Sequence, residues 1–167
     1  MICSAERELQ EQFTAAAADG TPLNIVAGNT KQFLGGTPKG TPFDVSGHTG
    51  ITGYEPKELV ITARCGTLLS EIRAALAEQG QMLAFEPPGF GDQATLGGTI
   101  ATGLSGSRRP YSGSARDFVL GTRILNGRGE ILRFGGEVMK NVAGYDVSRL
   151  MTGSMGTLGV ILEVSLK

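Results

Sequence analysis

Closely spaced glycines constrain this sequence more than any other feature. The chain has 26 glycines among 167 residues, about twice the usual share, and the most informative segments are residues 95–103, 108–113 and 153–159, of which the first and third contain three glycines each. Because glycine has no Cβ, it permits positive φ and lets peptide N–H groups approach a ligand closely. The three runs therefore predict tight turns, and a bound nucleotide is the first functional hypothesis.

Composition narrows the class of protein. The net charge of -1 and the 40% hydrophobic content argue against a disordered chain and against a nucleic-acid-binding surface. Cys3, Cys65 and the single His48 offer neither a disulfide framework nor a metal-ligand spacing. The charged amino terminus lacks a signal peptide, and no apolar run reaches the ~18 residues of a membrane span. We expect a cytoplasmic protein that contacts a membrane at most peripherally, through partners.

Hydrophobic spacing, glycine stops and turn signals predict a mixed α+β chain. The predicted helices are residues 4–18, 67–79 before a stop at Gly80, a helix that starts near 95, and 146–151. The predicted strands are residues 23–27, 43–45, 58–64, 81–83 and 157–166, with a hairpin of 117–125 and 130–134 around the Asn-Gly turn. The absence of repeats and linkers indicates one compact unit.

Two glycine-containing turns are candidate phosphate sites. The chain has no G-x-G-x-x-G fingerprint and no glycine followed by Lys-Ser or Lys-Thr, so the two commonest nucleotide motifs are absent. Consecutive amides in residues 26–31, with Lys31 adding a cation, form one candidate anion nest. Residues 95–99, at a helix start, form a second. A tight structural turn is the alternative for each, but two nests suit a pyrophosphate.

No catalytic constellation is evident from the sequence. His48 stands alone and is more often structural than catalytic in such a context, and no G-x-S-x-G elbow indicates an acyl hydrolase. Tyr145-Asp146 and Arg116-Asp117 are interpreted as structural hydrogen bonds or ion pairs. Arg108-Arg109 is either a solvated loop or an anion contact. The catalytic residues remain unassigned, and no metal ligand is predicted.

Several motifs resemble a known family over nearly the whole chain. IVAGNTK (25–31), TLGG (95–98), YSGSARDFVLG (111–121) and GSMGTLGVI (153–161) resemble the FAD-binding domain of the vanillyl-alcohol oxidase / p-cresol methylhydroxylase (PCMH) superfamily. More narrowly, EPP (86–88), GSRRPYSG (106–113) and RFGGEVMKNVAGYD (133–146) resemble the FAD-binding subunits of bacterial glycolate oxidases. Departures from the pattern are Ala27 and Asn29, where relatives often carry glycine.

The resemblance implies a PCMH-type α+β domain of two subdomains, about 1–85 and 86–167, with a C-terminal substrate domain absent. It implies noncovalent FAD, with residues 26–31 at the pyrophosphate, residues 95–106 forming a second wall and residues 156–161 facing the flavin ring. The implied cofactor-binding residues are Val26, Ala27, Gly28, Asn29, Thr30, Lys31, Thr95, Leu96, Gly97, Gly98, Thr99, Ala101, Thr102, Gly103, Ser105, Gly106, Ser112, Gly113, Gly156, Gly159, Val160 and Ile161.

The resemblance also implies a function. The chain would be the FAD-binding subunit of a flavin-dependent oxidase or dehydrogenase that converts glycolate, or another small 2-hydroxy acid, to the keto form, or that relays electrons within a complex. Its partners would be a related flavoprotein subunit and an iron–sulfur subunit. The alternative is a noncatalytic FAD-carrying or assembly subunit, and a third possibility is a domain that binds little flavin without the missing half.

Overall fold

The computed structural model describes residues 3–136 and 144–167. Within these ranges the helices are α1 (Ser4–Ala18), α2 (Leu69–Ala77), α3 (Leu96–Thr102), α4 (Arg109–Ser112), α5 (Ala115–Phe118) and α6 (Val147–Leu150). The strands are β1 (Leu23–Val26), β2 (Thr41–Asp44), β3 (Ile51–Glu55), β4 (Val60–Arg64), β5 (Val119–Leu125), β6 (Ile131–Gly135) and β7 (Val160–Leu166). Residues 137–143, which belong to the longest glycolate-oxidase-like motif, lie outside the described ranges.

Two sheets organise the described chain. β1 and β2 form a parallel pair, and five antiparallel strands form the larger sheet in the order β3-β4-β7-β5-β6. The mixed α+β class is therefore confirmed. β3 and β4 share the larger sheet with strands that follow residue 85, so residue 85 does not separate the two sheets. The division into two subdomains stays a prediction.

Most predicted elements are present, with small shifts at their ends. Helix α1 covers Ser4–Ala18 as predicted, and Gly20 follows it at φ +65°. Helix α2 begins two residues after Thr67, because the Thr67 hydroxyl is buried and accepts a hydrogen bond of 2.9 Å from the Gly50 amide instead of capping the helix. The hairpin of β5 and β6 is confirmed, as is the short helix α6.

Three strand predictions need correction. Residues 81–83 form a loop. In it, the Gln81 side chain donates a hydrogen bond to the Pro56 carbonyl oxygen and accepts one from the Tyr54 hydroxyl. No strand was predicted between residues 45 and 58, but this glycine-rich segment contains β3, a mostly exposed edge strand whose residues give no burial pattern. Strand β7 starts at Val160 rather than at residue 157, because residues 155–158 form a turn and Gly156 and Gly159 have φ +78° and +144°. The strand is buried on both faces.

The core lies between the larger sheet and helices α2 and α3. Its largest fully buried side chains are Phe85, Leu69, Ile72, Leu96, Ile100, Leu125, Met151, Leu162 and Leu166. Helix α1 covers another part of the sheet and brings Glu6, which is 5% exposed, within 2.9 Å of Arg123 on β5. His48 lies 3.8 Å from the same carboxylate, and burial lowers the pKa of its ring. His48 thus belongs to a structural cluster, as predicted for a lone histidine.

None of the helices in the described ranges combines the length and apolar character that crossing a membrane requires.

Candidate functional site

A cavity of about 310 Å³ joins the glycine segments near residues 28, 98 and 156. Its walls come from the loop after β1, from helix α3, and from the loop that leads into β7. The predicted residues that line it are Val26, Ala27, Gly28, Asn29, Thr30, Lys31, Thr95, Gly97, Gly98, Ala101, Thr102, Gly156, Gly159 and Ile161. Three segments that are far apart in sequence therefore share one site.

The loop of residues 27–31 lines this cavity, and its amide groups have no hydrogen-bond acceptor among the described residues. β1 ends at Val26, whose carbonyl accepts a hydrogen bond of 3.0 Å from Val45, and the chain then leaves the parallel pair. Among the described residues, no acceptor is found for the five amides of 27–31. Asn29 adopts φ +56°, a left-handed conformation that asparagine tolerates better than most residues. Asparagine can therefore stand where relatives often carry glycine.

Lys31 adds a buried positive charge beside these amides. The residue is only 7% exposed, and its Nζ lies 3.4 Å from both Thr30 Oγ1 and the Gly89 carbonyl oxygen. No carboxylate within the described ranges forms an ion pair with it. Burial and the nearby Arg73 cation lower the pKa of Lys31. A buried ammonium group is costly without an anion, so the site is electrostatically suited to one.

Helix α3 forms the second wall, but its first amides do not form a second anion nest. The helix starts near residue 95 as predicted, and Thr95 caps it, with its hydroxyl accepting a 3.3 Å hydrogen bond from the Gly98 amide. The Leu96 and Gly97 amides donate to the Thr67 and Cys65 carbonyl oxygens at 2.9 and 2.8 Å. These two amides already have acceptors within the fold and are not available to a ligand. The predicted nest over 95–99 is therefore a packing surface rather than a set of free donors.

The two glycines of this wall have different roles. A Cβ at residue 97 would lie 2.7 Å from the Cys65 Cβ, so Gly97 allows α3 to pack against the end of β4. At residue 98 the nearest described atom to a Cβ would be Thr95 Oγ1 at 3.3 Å, and no other lies within 4 Å. Gly98 therefore keeps space open in the cavity, whereas Gly97 serves the fold.

The third wall comes from the loop before β7. Gly156 and Gly159 adopt φ +78° and +144° and line the cavity together with Ile161. Val160, the neighbour of Ile161, does not line this cavity, since successive strand residues face opposite ways. It lines a second cavity of about 260 Å³ that shares Ile25, Gly156 and Gly159 with the first.

Several predicted residues lie away from the described cavity and have structural contacts. Leu96, Thr99 and Val160 are buried in the core. Gly103 ends helix α3, and Gly113 packs tightly on Asp117. Ser105 Oγ accepts a hydrogen bond from the Ala115 amide, and the Gly106 amide donates one to the Phe85 carbonyl oxygen. Ser112 Oγ donates a hydrogen bond to the Ala84 carbonyl oxygen. Direct cofactor contact by these residues stays a prediction.

The other polar motifs have structural roles or are exposed. Asp117 accepts hydrogen bonds from the Ser114 amide and hydroxyl, and these bonds lower its pKa. Asp146 caps α6 and pairs with Arg149 at 3.3 Å. Arg108 and Arg109 are exposed. No cluster of potential metal ligands occurs within the described residues.

An apolar part of the cavity wall was not identified from the sequence. Its members share no motif: Ile25, Leu34, Gly35, Gly36, Pro38, Val45, Cys65 and Met155. Met155 lies inside a predicted glycine run and has φ +54°, so the run was a usable signal for it. Ile25 begins the quoted motif of residues 25–31, so that motif was a signal for it as well. The others carried no such signal.

The chemistry of the lining is that of binding. Lys31 and Cys65 are the titratable side chains among the described lining residues, and burial raises the pKa of Cys65 to about 12. Cys65 is therefore a neutral thiol at physiological pH. Free amides, one buried cation and an apolar wall fit an anion that is joined to a flat ring.

Sequence comparisons connect the chain to known proteins. A family model described as an FAD binding domain matches residues 1–135. The chain is 59% identical over 165 residues to the glycolate oxidase subunit GlcE of Escherichia coli (strain K12). The match covers 99% of this chain and 47% of that protein. It is 35% identical over 119 residues to the glycolate oxidase subunit GlcD of Bacillus subtilis (strain 168), covering 70% of the chain and 25% of that protein.

Solved structures support the same fold. An alkyldihydroxyacetonephosphate synthase superimposes with a TM-score of 0.74 at 22% identity, over 96% of this chain and 32% of that one. Identity this low shows similarity of fold alone. The chain spans about half the length of the Escherichia coli relative and a quarter of the Bacillus subtilis one.

Proposed function

Because the chain belongs to the FAD-binding domain family, we propose that it is the FAD-holding part of a flavin-dependent oxidoreductase that acts on a small 2-hydroxy acid such as glycolate. The family establishes FAD as the cofactor. One observation carries the assignment of the site: the unpartnered amides of residues 27–31 and the buried Lys31 share a cavity with an apolar wall. Glycolate is proposed from the names of the relatives.

The residues present fit a dinucleotide. Five free amides supply donors for a pyrophosphate, and Lys31 supplies a charge that is worth more in a buried site than in water. The volume of about 310 Å³ is at the lower end of the roughly 300–1,000 Å³ range of ligand pockets. The cavity therefore holds the pyrophosphate and one adjoining ring, with the rest of the cofactor extending beyond it. That residues 156–161 face the flavin ring remains our proposal.

FAD, when bound, supplies the two-electron acceptor for oxidation of a CH–OH group. The chain's own contribution is to hold and orient it. Gly98 leaves space for the cofactor, and the amides of residues 27–31 with the Lys31 ammonium group hold its pyrophosphate. Ile161 and Met155 exclude water from one side of the cofactor. Noncovalent binding fits the cavity, since its one cysteine is a neutral, fully buried thiol.

A second function is favoured by the composition of the cavity wall. None of the described residues that line it is a histidine, aspartate, glutamate or tyrosine, the side chains that commonly accept a proton from a substrate hydroxyl, and Cys65 is a neutral thiol. The chain could therefore carry FAD while a related flavoprotein subunit performs the oxidation. We propose partners of this kind, together with an iron–sulfur subunit, and a cytoplasmic location at most peripheral to the inner membrane. Flavin reduction by glycolate that requires the partner would favour this second function.

A binding series with the full chain tests the site. We expect the purified protein to bind FAD, with ADP competing, and to bind riboflavin at least about tenfold more weakly, since one lost charge-assisted interaction costs about that factor. Calorimetry and flavin fluorescence measure the three affinities. Equal affinity for riboflavin and FAD would overturn the phosphate assignment, and failure to bind FAD at all would overturn the proposed function for this chain.

Replacing Gly98 with valine is expected to block FAD binding without unfolding the protein. The new methyl groups would enter the cavity, and the one close protein atom is Thr95 Oγ1, so stability should stay within about 1 kcal/mol because valine is no worse in a helix than glycine. FAD affinity should fall at least about tenfold. Gly47→Val is the matched control, because no described atom lies within 4 Å of a Cβ there. Unchanged FAD affinity in Gly98→Val would place the cofactor elsewhere.

A further inference from the structure

Two exposed phenylalanines form a contact between loops at the edge of the cofactor site. Phe33 and Phe90 meet edge to face, with ring centroids 5.0 Å apart and planes at 79°. They are 63% and 55% exposed. One follows the amide loop of residues 27–31, and the other belongs to residues 86–92. Scattered surface apolar residues need no explanation, but this pair connects two segments that otherwise have no secondary structure.

The loop that carries Phe90 has an unfavourable backbone conformation. Phe90 and Glu86 adopt φ +56° and +45°, and Gly91 adopts φ +122°. A left-handed conformation at a bulky residue persists only where the surroundings impose it, and such residues concentrate at binding sites and clamps. The Phe90 ring packs against Phe33.

The segment of residues 89–93 lies directly along the amide loop. The Gly89 carbonyl oxygen is 3.4 Å from Lys31 Nζ, and a Cβ at Gly91 would lie 3.8 Å from Thr30 Cγ2. At its end, the Gln93 carbonyl oxygen occupies the space that a side chain at residue 28 would need. This segment therefore packs against Lys31, whose exposure is 7%.

The same loop determines the charges around Lys31. Arg73 on α2 donates a 2.7 Å hydrogen bond to the Pro87 carbonyl oxygen, which places a second cation near the ammonium group. The groups that face Lys31 are thus a hydroxyl, a carbonyl oxygen and a guanidinium, with no ion-pairing carboxylate among the described residues. Burial and Arg73 together lower its pKa.

We propose that Phe33 and Phe90 are positioning residues for the cofactor: their contact holds residues 89–93 over Lys31 and so keeps the ammonium group dry and directed at the pyrophosphate. This inference rests on the proposed function, and it concerns residues that do not line the described cavity. If the contact is lost, water reaches Lys31 and the side chain gains freedom to leave the site. Both effects weaken the interaction with an anion.

The test uses the full chain with Phe33→Ala, Phe90→Gly and the double variant. Glycine at residue 90 removes the ring and also relieves the left-handed backbone, so this variant is expected to fold even where Phe90→Ala would be strained. Tyr145→Ala is the control, since Tyr145 is a 98% exposed aromatic residue that is distant in sequence from both phenylalanines. Lysine ¹³Cε NMR of the cofactor-free protein follows the titration of Lys31, and calorimetry measures the affinity for FAD.

We expect Lys31 to titrate below the ordinary lysine value of 10.5 in the unmodified protein and closer to it in each variant. The FAD dissociation constant should rise about tenfold, and the double variant should be no worse than the single ones because they break the same contact. A purely structural role would change thermal stability and leave the Lys31 titration unmoved. The inference would be overturned by an unchanged Lys31 titration, by an unchanged FAD affinity, or by effects of the two substitutions that add in the double variant. If the unmodified chain did not bind FAD, the proposed function itself would be overturned.

Discussion

Gly28→Ala is expected to destabilise the protein by about 3 kcal/mol, the upper end of ordinary overpacking, and to abolish FAD retention. A Cβ at residue 28 would lie 1.6 Å from the Gln93 carbonyl oxygen and 2.7 Å from the carbonyl carbon. Both are backbone atoms, so the clash cannot be relieved by a side-chain rotation. The amide loop and the segment that leads into helix α3 must separate, and the cavity between them opens.

Urea unfolding gives the stability change, and flavin fluorescence gives the retained FAD. Gly127→Ala is the matched control, since it alters a glycine in the β5–β6 turn with no described atom within 4 Å of a Cβ; both measurements should remain close to those of the unmodified protein. If Gly28→Ala had the stability of this control, the close approach of the loop to Gln93 would be disproved.

Glu6→Gln is expected to cost about 3 kcal/mol of unfolding free energy, the lower end of the range for a broken buried ion pair. Glu6 is 5% exposed and its carboxylate lies 2.9 Å from Arg123, whose side chain is 17% exposed. Glutamine keeps the shape and can still accept the hydrogen bond from the Cys3 amide at the start of α1. What it removes is the charge that neutralises Arg123 beneath the helix.

Thermal and chemical unfolding measure this effect, with Glu11→Gln as the control on an exposed position of the same helix. The control should change stability by less than about 0.5 kcal/mol. Equal stability of the two variants would show that the Glu6–Arg123 pair contributes nothing to the attachment of α1. The FAD affinity of folded Glu6→Gln should stay unchanged, because Glu6 does not line the described cavity.

Local patterns predicted much of the secondary structure. Helix α1 is found at the predicted residues, and the Asn-Gly turn gives the hairpin of β5 and β6, because helix periodicity and turn chemistry depend on neighbours in sequence. Edge strand β3 was missed, since half-exposed polar residues and glycines carry no such pattern. The start of β7 was predicted too early, since the turn that contains Gly156 leads directly into the apolar strand.

From the sequence alone we predicted backbone donors in residues 26–31 and close backbone approach to a ligand at the glycines near residues 98 and 156. These are local properties, because a missing Cβ or a left-handed turn acts on the adjacent peptide groups. Only the tertiary structure decided which amides remain free: the Leu96 and Gly97 donors are taken by Thr67 and Cys65, while no described acceptor takes those of 27–31. Whether a hydrogen-bonding group is available depends on what packs against it, and for α3 those partners lie about thirty residues away in sequence.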